Sequence, residues 1–386
     1  MIIQSERVFI AGSFMKAAVE TAEGKIIRIH TYGSVTPDMD YKDKRIVPGF
    51  IDVHCHGAYG YDTNDADPEG LRMWAKRICE EGVTGFNATT VTQMKPVLLS
   101  AVKNVAEVKK THQPGKDGAD ILGIHFEGPY LNIKHKGAQP PEAIVPPSVE
   151  EFKEYQEAAE GNIHLITLAP ECDKDFALTR YCHSTGVRVS IGHSDAGFEQ
   201  AMSAVANGAV SITHTYNAQT PFNHRANGIV GAALRLSDLY SEVICDCAHS
   251  TPEALNIFFS CKDRHRAVMI SDALMCKGFA VGDKFIFGGH EVEIYPDGCA
   301  HLNDIPEHSI AGSTMRMNIG LRNLVERAMV PFDKALYSCT INPASLLGLD
   351  DHLGRITVGY DADLVVLNDD YSVAETYCKG IPQLNH

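Results

Sequence analysis

Eight short apolar runs constrain this chain more than any other feature. They occupy residues 50–56, 85–91, 121–127, 163–171, 188–193, 211–216, 242–247 and 267–272. Most are continuously apolar rather than alternating, which is the pattern of strands covered on both faces. Helix ends are readable between them. Asp67-Pro68 reads as an N-cap followed by a first-turn proline, with Gly82 as the stop. Ser148 with Glu151 reads as a capping box closed downstream by Gly161, and Ser250 with Glu253 reads as another. Residues 197–207 read as a helix ended by Gly208. Eight strand–helix units joined by parallel crossovers predict an α/β fold, a (β/α)8 TIM-type barrel rather than a doubly wound open sheet.

The two ends of the chain differ from this pattern. Residues 1–47 and 349–386 are β-rich, with turn signals at Glu23-Gly24 and Gly359-Tyr360-Asp361. Neither end can bury itself alone, so both are expected in one small β-sandwich domain, leaving 48–348 for the barrel. A hairpin over 284–302, turning at Pro296-Asp297-Gly298, is expected to interrupt the last unit. A chain of 386 residues is long enough to bury a core of this size. Its 34 basic and 49 acidic residues give a net charge of −15, which repels a nucleic-acid backbone. A small anionic substrate is still admissible, because a local pocket can oppose the global field. The 11 cysteines are scattered, with no CxxC pair, which suits a reducing compartment. No basic leader or long apolar run is present, so a cytoplasmic protein with no membrane contact is expected.

The ends of the runs carry the chemistry. The first ends in His54-Cys55-His56, and alternation along a strand turns both imidazoles to one side and Cys55 to the other. The third ends in His125-Phe126-Glu127-Gly128-Pro129, the fifth in Gly192-His193-Ser194-Asp195, the sixth in Thr213-His214-Thr215-Tyr216-Asn217 and the eighth in Ser271-Asp272-Ala273. In a barrel these ends meet at one mouth. Four histidines and two carboxylates converging there form a donor set for a divalent transition metal, zinc first.

These residues also carry a resemblance. Residues 48–57, Pro-Gly-Phe-Ile-Asp-Val-His-Cys-His-Gly, resemble the opening metal motif of the amidohydrolase superfamily. The segments 125–130, Leu168-Ala169-Pro170-Glu171, Gly192-His193-Ser194, 214–218 and Ala311-Gly312-Ser313 together resemble the N-acetylglucosamine-6-phosphate deacetylase family. The tail from Asn342-Pro343-Ala344 to Leu364 matches too, so the similarity spans essentially the whole chain. The resemblance implies Glu127, His193 and His214 as the main metal ligands, and His54 and His56 as a second metal position. One or two divalent ions are implied, most simply Zn2+, with Fe, Mn or Co sharing the same ligand types. It implies Asp272 as the catalytic carboxylate. Asn217, Ala218, Arg225 and His249 match the family's contacts to an amino-sugar phosphate. Since the matching arginine reaches across from a neighbouring subunit, a homodimer is implied.

The residues support such chemistry independently. Amide hydrolysis needs an acidified water, a polarised carbonyl and an acid for the leaving amine; a divalent metal supplies the first two. A nearby carboxylate can move the proton, and Asp272 is the acid left free for it. One position departs from the family: Gln139 stands where a histidine usually helps bind the acetyl oxygen. Gln139 can donate a hydrogen bond but carries no charge, and His135 lies four residues earlier. The expected activity is deacetylation of N-acetyl-D-glucosamine 6-phosphate in amino-sugar catabolism. The alternatives are the galactosamine epimer, another amidohydrolase reaction such as deamination, or a non-catalytic binding protein.

Overall fold

The computed structural model describes residues 1–303 and 309–384. Residues 385 and 386, the end of the β-rich C-terminal segment, lie outside the described residues. All eight expected strands are present: β1 (Phe50–Cys55), β2 (Val83–Thr90), β3 (Asp120–Glu127), β4 (Ile163–Leu168), β5 (Arg188–Ile191), β6 (Ala209–Ile212), β7 (Tyr240–Ile244) and β8 (Ala267–Ile270). They form one parallel sheet in the order β8-β7-β6-β5-β4-β3-β2-β1. In its register Phe126 sits opposite Ile166, and Val243 opposite Met269. Side chains help close the ring between β1 and β8, where Ser271 Oγ donates to Asp52 Oδ2 at 2.5 Å. Just past the strand ends, Asp272 N donates to His54 O at 2.9 Å and His56 N to Ala273 O at 2.8 Å. The architecture is therefore the barrel and not the open sheet.

β1 and β2 are buried along their whole length, which is why their sequences do not alternate. Helices cover the outside. The helix Pro68–Arg77 begins at Asp67, whose side chain accepts from Glu69 N, and turns Leu71, Trp74 and Ala75 inward. The Trp74 ring lies 4.6 Å from that of Phe86 on β2, centroid to centroid. Burying each such large side chain contributes about 1.5–3 kcal/mol. The helix Val149–Ala158 is capped by Ser148 as expected. The Glu151 side chain, however, accepts from the Tyr130 hydroxyl.

Two expectations need correction. The helix Pro252–Cys261 is capped by Thr251, which accepts from Ala254 N, and not by Ser250 with Glu253. With Pro252 at the first helical position, the cap falls immediately before it. Several strands also end earlier than their apolar runs. β5, β6 and β8 stop two residues short of His193, His214 and Asp272, which have φ of 47°, 27° and 49°. An L-residue in this left-handed region breaks the extended path. The run 163–171 likewise stops at Leu168, and Pro170 starts a 3-10 turn over Pro170–Cys172.

The two chain ends share one mixed sheet. Strands Ile2–Ile10, Ser13–Ala22, Lys25–Thr31 and Arg45–Pro48 join Leu364–Leu367, Val373–Cys378 and Ile381–Pro382. Leu364–Leu367 runs antiparallel to Arg45–Pro48, with Val366 opposite Ile46. The sheet rolls over on itself, since Lys25 bridges to Asp361 and Ile26 N donates to Tyr360 O at 2.8 Å. Ile3, Val8, Val19, Ile46, Leu364 and Val366 are buried inside the roll, so each end supplies half of a core that neither could make alone. After β8 comes the expected insertion, as three antiparallel strands: Lys284–Phe287, His290–Ile294 and Ala300–Leu302. Its second turn follows Pro296 as read, but its first is Gly288-Gly289, with φ of 58° and 89°. Two consecutive positive φ values make a tight hairpin turn that glycine adopts without strain. No helix among the described residues is long and apolar enough to cross a membrane.

Candidate active site and metal centre

Five strand ends place six side chains around one point at the barrel mouth. His54 is in β1 and His56 just beyond it; Glu127 is the last residue of β3. The left-handed turns after β5, β6 and β8 swing His193, His214 and Asp272 over the same spot. His214 Nε2 lies 3.1 Å from His193 Nε2 and 3.2 Å from Glu127 Oε1, and His193 Nε2 is 3.4 Å from the same oxygen. On the other side, His54 Nε2 and His56 Nε2 lie 3.4 and 3.3 Å from Asp272 Oδ1. Glu127 faces both groups, with Oε2 3.3 Å from His56 Nε2 and Oε1 3.5 Å from His54 Nε2.

These spacings fit metal binding. Two ligand atoms at 2.0–2.1 Å from one tetrahedral ion stand about 3.3 Å apart. Glu127, His193 and His214 form one such trio, and His54, His56 and Asp272 form another. His54 Nε2 is buried and faces the Glu127 and Asp272 carboxylates within 3.5 Å without a well-formed hydrogen bond among the described residues.

The site is electrostatically coupled. Burial pulls the His54 and His56 imidazoliums down, but the carboxylates of Glu127 and Asp272 outweigh it. His54 is lifted to about 9 and His56 to about 10. Burial likewise pushes the Asp272 carboxyl up, yet the neighbouring histidines bring it down to about 2. Glu127 is held well below the usual carboxylate range by His54 and His193 against the same burial. Both carboxyls are therefore anionic at neutral pH. His125, adjacent to this cluster, is not part of either trio. Its ring is hydrogen-bonded to Thr167 Oγ1 at 2.7 Å, and burial holds it neutral.

The ligand-type side chains are oriented from behind. His54 Nδ1 pairs with Glu242 Oε2 at 3.0 Å, His193 Nδ1 with His135 O at 2.7 Å and His214 Nδ1 with Asn217 O at 3.2 Å. Such backing contacts fix which ring nitrogen faces an ion. Glu171 accepts from Ser194 Oγ and Asp195 N, holding the turn that carries His193. Glu242 was missed in the sequence, although a lone carboxylate inside an apolar run is a signal that it has a buried partner.

A cavity of about 450 Å³ opens in front of the cluster. Of the residues singled out from the sequence, all but His54 and Arg225 line it. Gln139 is fully engaged at its carbonyl end: Oε1 accepts from Thr92 N at 2.7 Å, while Nε2 donates to Glu127 Oε2 at 2.8 Å. The ring of His135 turns to Asp195, 3.0 Å away. His249 pairs through Nδ1 with Asp246 Oδ2 at 2.6 Å. Burial lowers its pKa, but that bond more than compensates and leaves it raised. Arg225 is exposed and lines a separate hollow with Phe198 and Pro221, away from its own chain's cluster.

The fold agrees with the comparisons to known proteins. Residues 45–381 match the family described as "Amidohydrolase family", and the chain belongs to it. Within that class, curated relatives are deacetylases of N-acetylated amino-sugar 6-phosphates. It is 39% identical over 338 residues to the N-acetylglucosamine-6-phosphate deacetylase of Bacillus subtilis (strain 168), covering 88% of this chain and 84% of the relative. It is 32% identical to the N-acetylgalactosamine-6-phosphate deacetylase of Escherichia coli O157:H7, covering 87% and 86%. Among solved structures, a variant of the Mycobacterium smegmatis N-acetyl-D-glucosamine-6-phosphate deacetylase, in complex with N-acetyl-D-glucosamine-6-phosphate, superposes with a TM-score of 0.93. That match has 26% identity and covers 100% of this chain and 99% of the other.

Proposed function

We propose that this chain hydrolyses the acetamide of N-acetyl-D-glucosamine 6-phosphate, giving glucosamine 6-phosphate and acetate. The observation that carries the reading is the convergence of Glu127, His193 and His214 beside Asp272 in the cavity of a chain 39% identical to such a deacetylase. Glu127, His193 and His214 would hold a divalent ion, zinc before iron, manganese or cobalt. His54, His56 and Asp272 offer a second position. When bound, the ion supplies Lewis acidity toward a carbonyl oxygen and toward water.

The chain's own residues do the rest. Asp272, anionic at neutral pH, takes the proton of the attacking water as the C–O bond forms. It returns that proton to the sugar nitrogen as the C–N bond breaks. Gln139 steadies Glu127 by the hydrogen bond described above and borders the acyl end. His249, held by Asp246, presents its other ring nitrogen to the sugar phosphate, with Asn217 and Ala218 beside it. Arg225 completes the phosphate site of a second copy in a homodimer, where its planar donors suit phosphate oxygens. Residues 48–348 form the catalytic domain in this reading, and 1–47 with 349–386 the small one.

The N-acetylgalactosamine 6-phosphate epimer is a second reading, favoured by the 32% identical relative. Acetate release from both epimers, each with and without the phosphate, separates them. A metal-loaded preparation should release acetate from the glucosamine compound and stop when a chelator removes the ion. Failure of the loaded protein to release acetate from either sugar phosphate overturns the reading.

A further inference from the structure

The three-stranded insertion after β8 does more than cover the barrel. Its first turn drives Phe287 into the mouth, where the ring is only 4% exposed and lies 5.4 Å from the His56 ring, centroid to centroid. Phe287 belongs to a small apolar cluster with Leu274, Val292 and Ala311, separate from the main core. Three of these, Phe287, Leu274 and Ala311, also line the cavity. The cavity therefore has an apolar wall on the side of His56 and Asp272, and polar groups at His249 and Asn217.

The wall is held in place. A Cβ at Gly288 would stand 3.0 Å from Ala138 O, so the turn behind Phe287 packs close against the loop carrying Gln139. A Cβ at Gly312 would stand 2.7 Å from Leu274 Cδ2 and 2.9 Å from Asp272 O, so that side is equally close-packed. A packed wall of this kind discriminates by size, because added methylenes must displace it.

An N-acyl amino-sugar phosphate has one apolar part, its acyl chain. The carbonyl carbon must reach Asp272 and the histidine cluster, and the leaving nitrogen must lead toward the polar end of the cavity. The remaining substituent then faces Phe287 and Leu274. We propose that Phe287, with Leu274 and Ala311 behind it, is the specificity-determining wall that limits the acyl group to acetyl. This rests on the amide-hydrolase reading above.

The test compares kcat/KM for N-acetyl-, N-propanoyl- and N-butanoyl-glucosamine 6-phosphate. The wild-type enzyme should lose about tenfold or more for each added methylene. Phe287→Ala should raise the butanoyl-to-acetyl ratio by about tenfold or more, with metal content unchanged. Phe287→Leu keeps an apolar plug in the hairpin and covers the case in which alanine unfolds it; it should move the ratio the same way by less. A wild-type enzyme indifferent to acyl length, or folded variants with an unmoved ratio, overturns the wall alone. If the wild-type enzyme releases no acetate from the acetyl compound, the substrate reading falls and the wall falls with it.

Discussion

Asp272 combines two demands that a single side chain rarely meets. It sits 3.3–3.4 Å from two imidazoles, yet in the proposed mechanism it must remain a carboxylate able to take a proton. The same histidines that crowd it hold its pKa near 2, so it is fully ionised at working pH. Asp272→Asn keeps the shape and loses the base. Turnover should fall by about a hundredfold or more, while the ion at Glu127, His193 and His214 and substrate binding survive, read by steady-state kinetics and calorimetry. Near-normal turnover would assign the proton to another group. The partners of Asp272 predict a pH effect. Without metal, His54 and His56 hold protons to about pH 9 and 10, against 6.5 for a free imidazole. Their raised values stabilise the metal-free fold fully below about pH 6.5, and that contribution is lost as pH rises through 9 and 10. Loading an ion at this position expels those protons, so apparent metal affinity should rise with pH over the same window. Titration of metal into weakly buffered protein at pH 8 should acidify the solution; an unchanged pH counts against it. The six side chains at the mouth were all legible in the sequence, because His, Glu and Asp at strand ends have few other reasons to be there. Glu242 and the pairing of Gln139 with Glu127 were not, since each depends on a distance between strands that no local pattern encodes.

At the scale of elements, the apolar runs located every barrel strand, but not where each stops. An apolar run records burial, and burial continues through the turns that carry His193, His214 and Asp272. Backbone handedness there is set by the tertiary closure of the mouth and leaves little trace in residue type. The helix start at Pro252 shows the same limit at finer grain. Ser250 and Thr251 are both acceptable caps by type, serine slightly the better, and only the bond from Ala254 N to Thr251 Oγ1 decides between them. Thr251→Ala should lower unfolding stability by about 1 kcal/mol, in the range typical of lost N-caps. Ser250→Ala should change it by less than half as much, measured by denaturant unfolding of the metal-loaded protein. Equal losses would mean that both hydroxyls cap the helix. Gly288-Gly289 is a weaker turn signal in the sequence than Pro296-Asp297-Gly298, so the placement of Phe287 is not legible from residue types alone.

For the whole molecule, the sequence predicted both the barrel and the joining of its two ends, because each segment had an apolar face that only the other could cover. Contacts between copies are encoded more weakly, and Arg225 is exposed, with no ion pair of its own among the described residues. If a second copy receives it, complementation follows. Arg225→Ala carries an intact Asp272, and Asp272→Asn carries an intact Arg225. Mixed dimers should therefore regain activity toward the phosphorylated sugar at one of their two sites, although each variant alone is weak. No recovery after subunit exchange, confirmed by mass, would place Arg225 outside the neighbouring site. The closure between β1 and β8 has its own consequence. A ring fastened partly by the Asp52–Ser271 clasp loosens first along that line, and His54 and Asp272 stand on its opposite banks. An ion held by His54, His56 and Asp272, as proposed, would act as a rivet across the join. Loss of metal should then quicken hydrogen exchange at the Asp272 amide, which donates to His54 O, before it quickens exchange elsewhere in the barrel. The residue proposed to move the proton would thus also be the place where the cylinder is pinned shut.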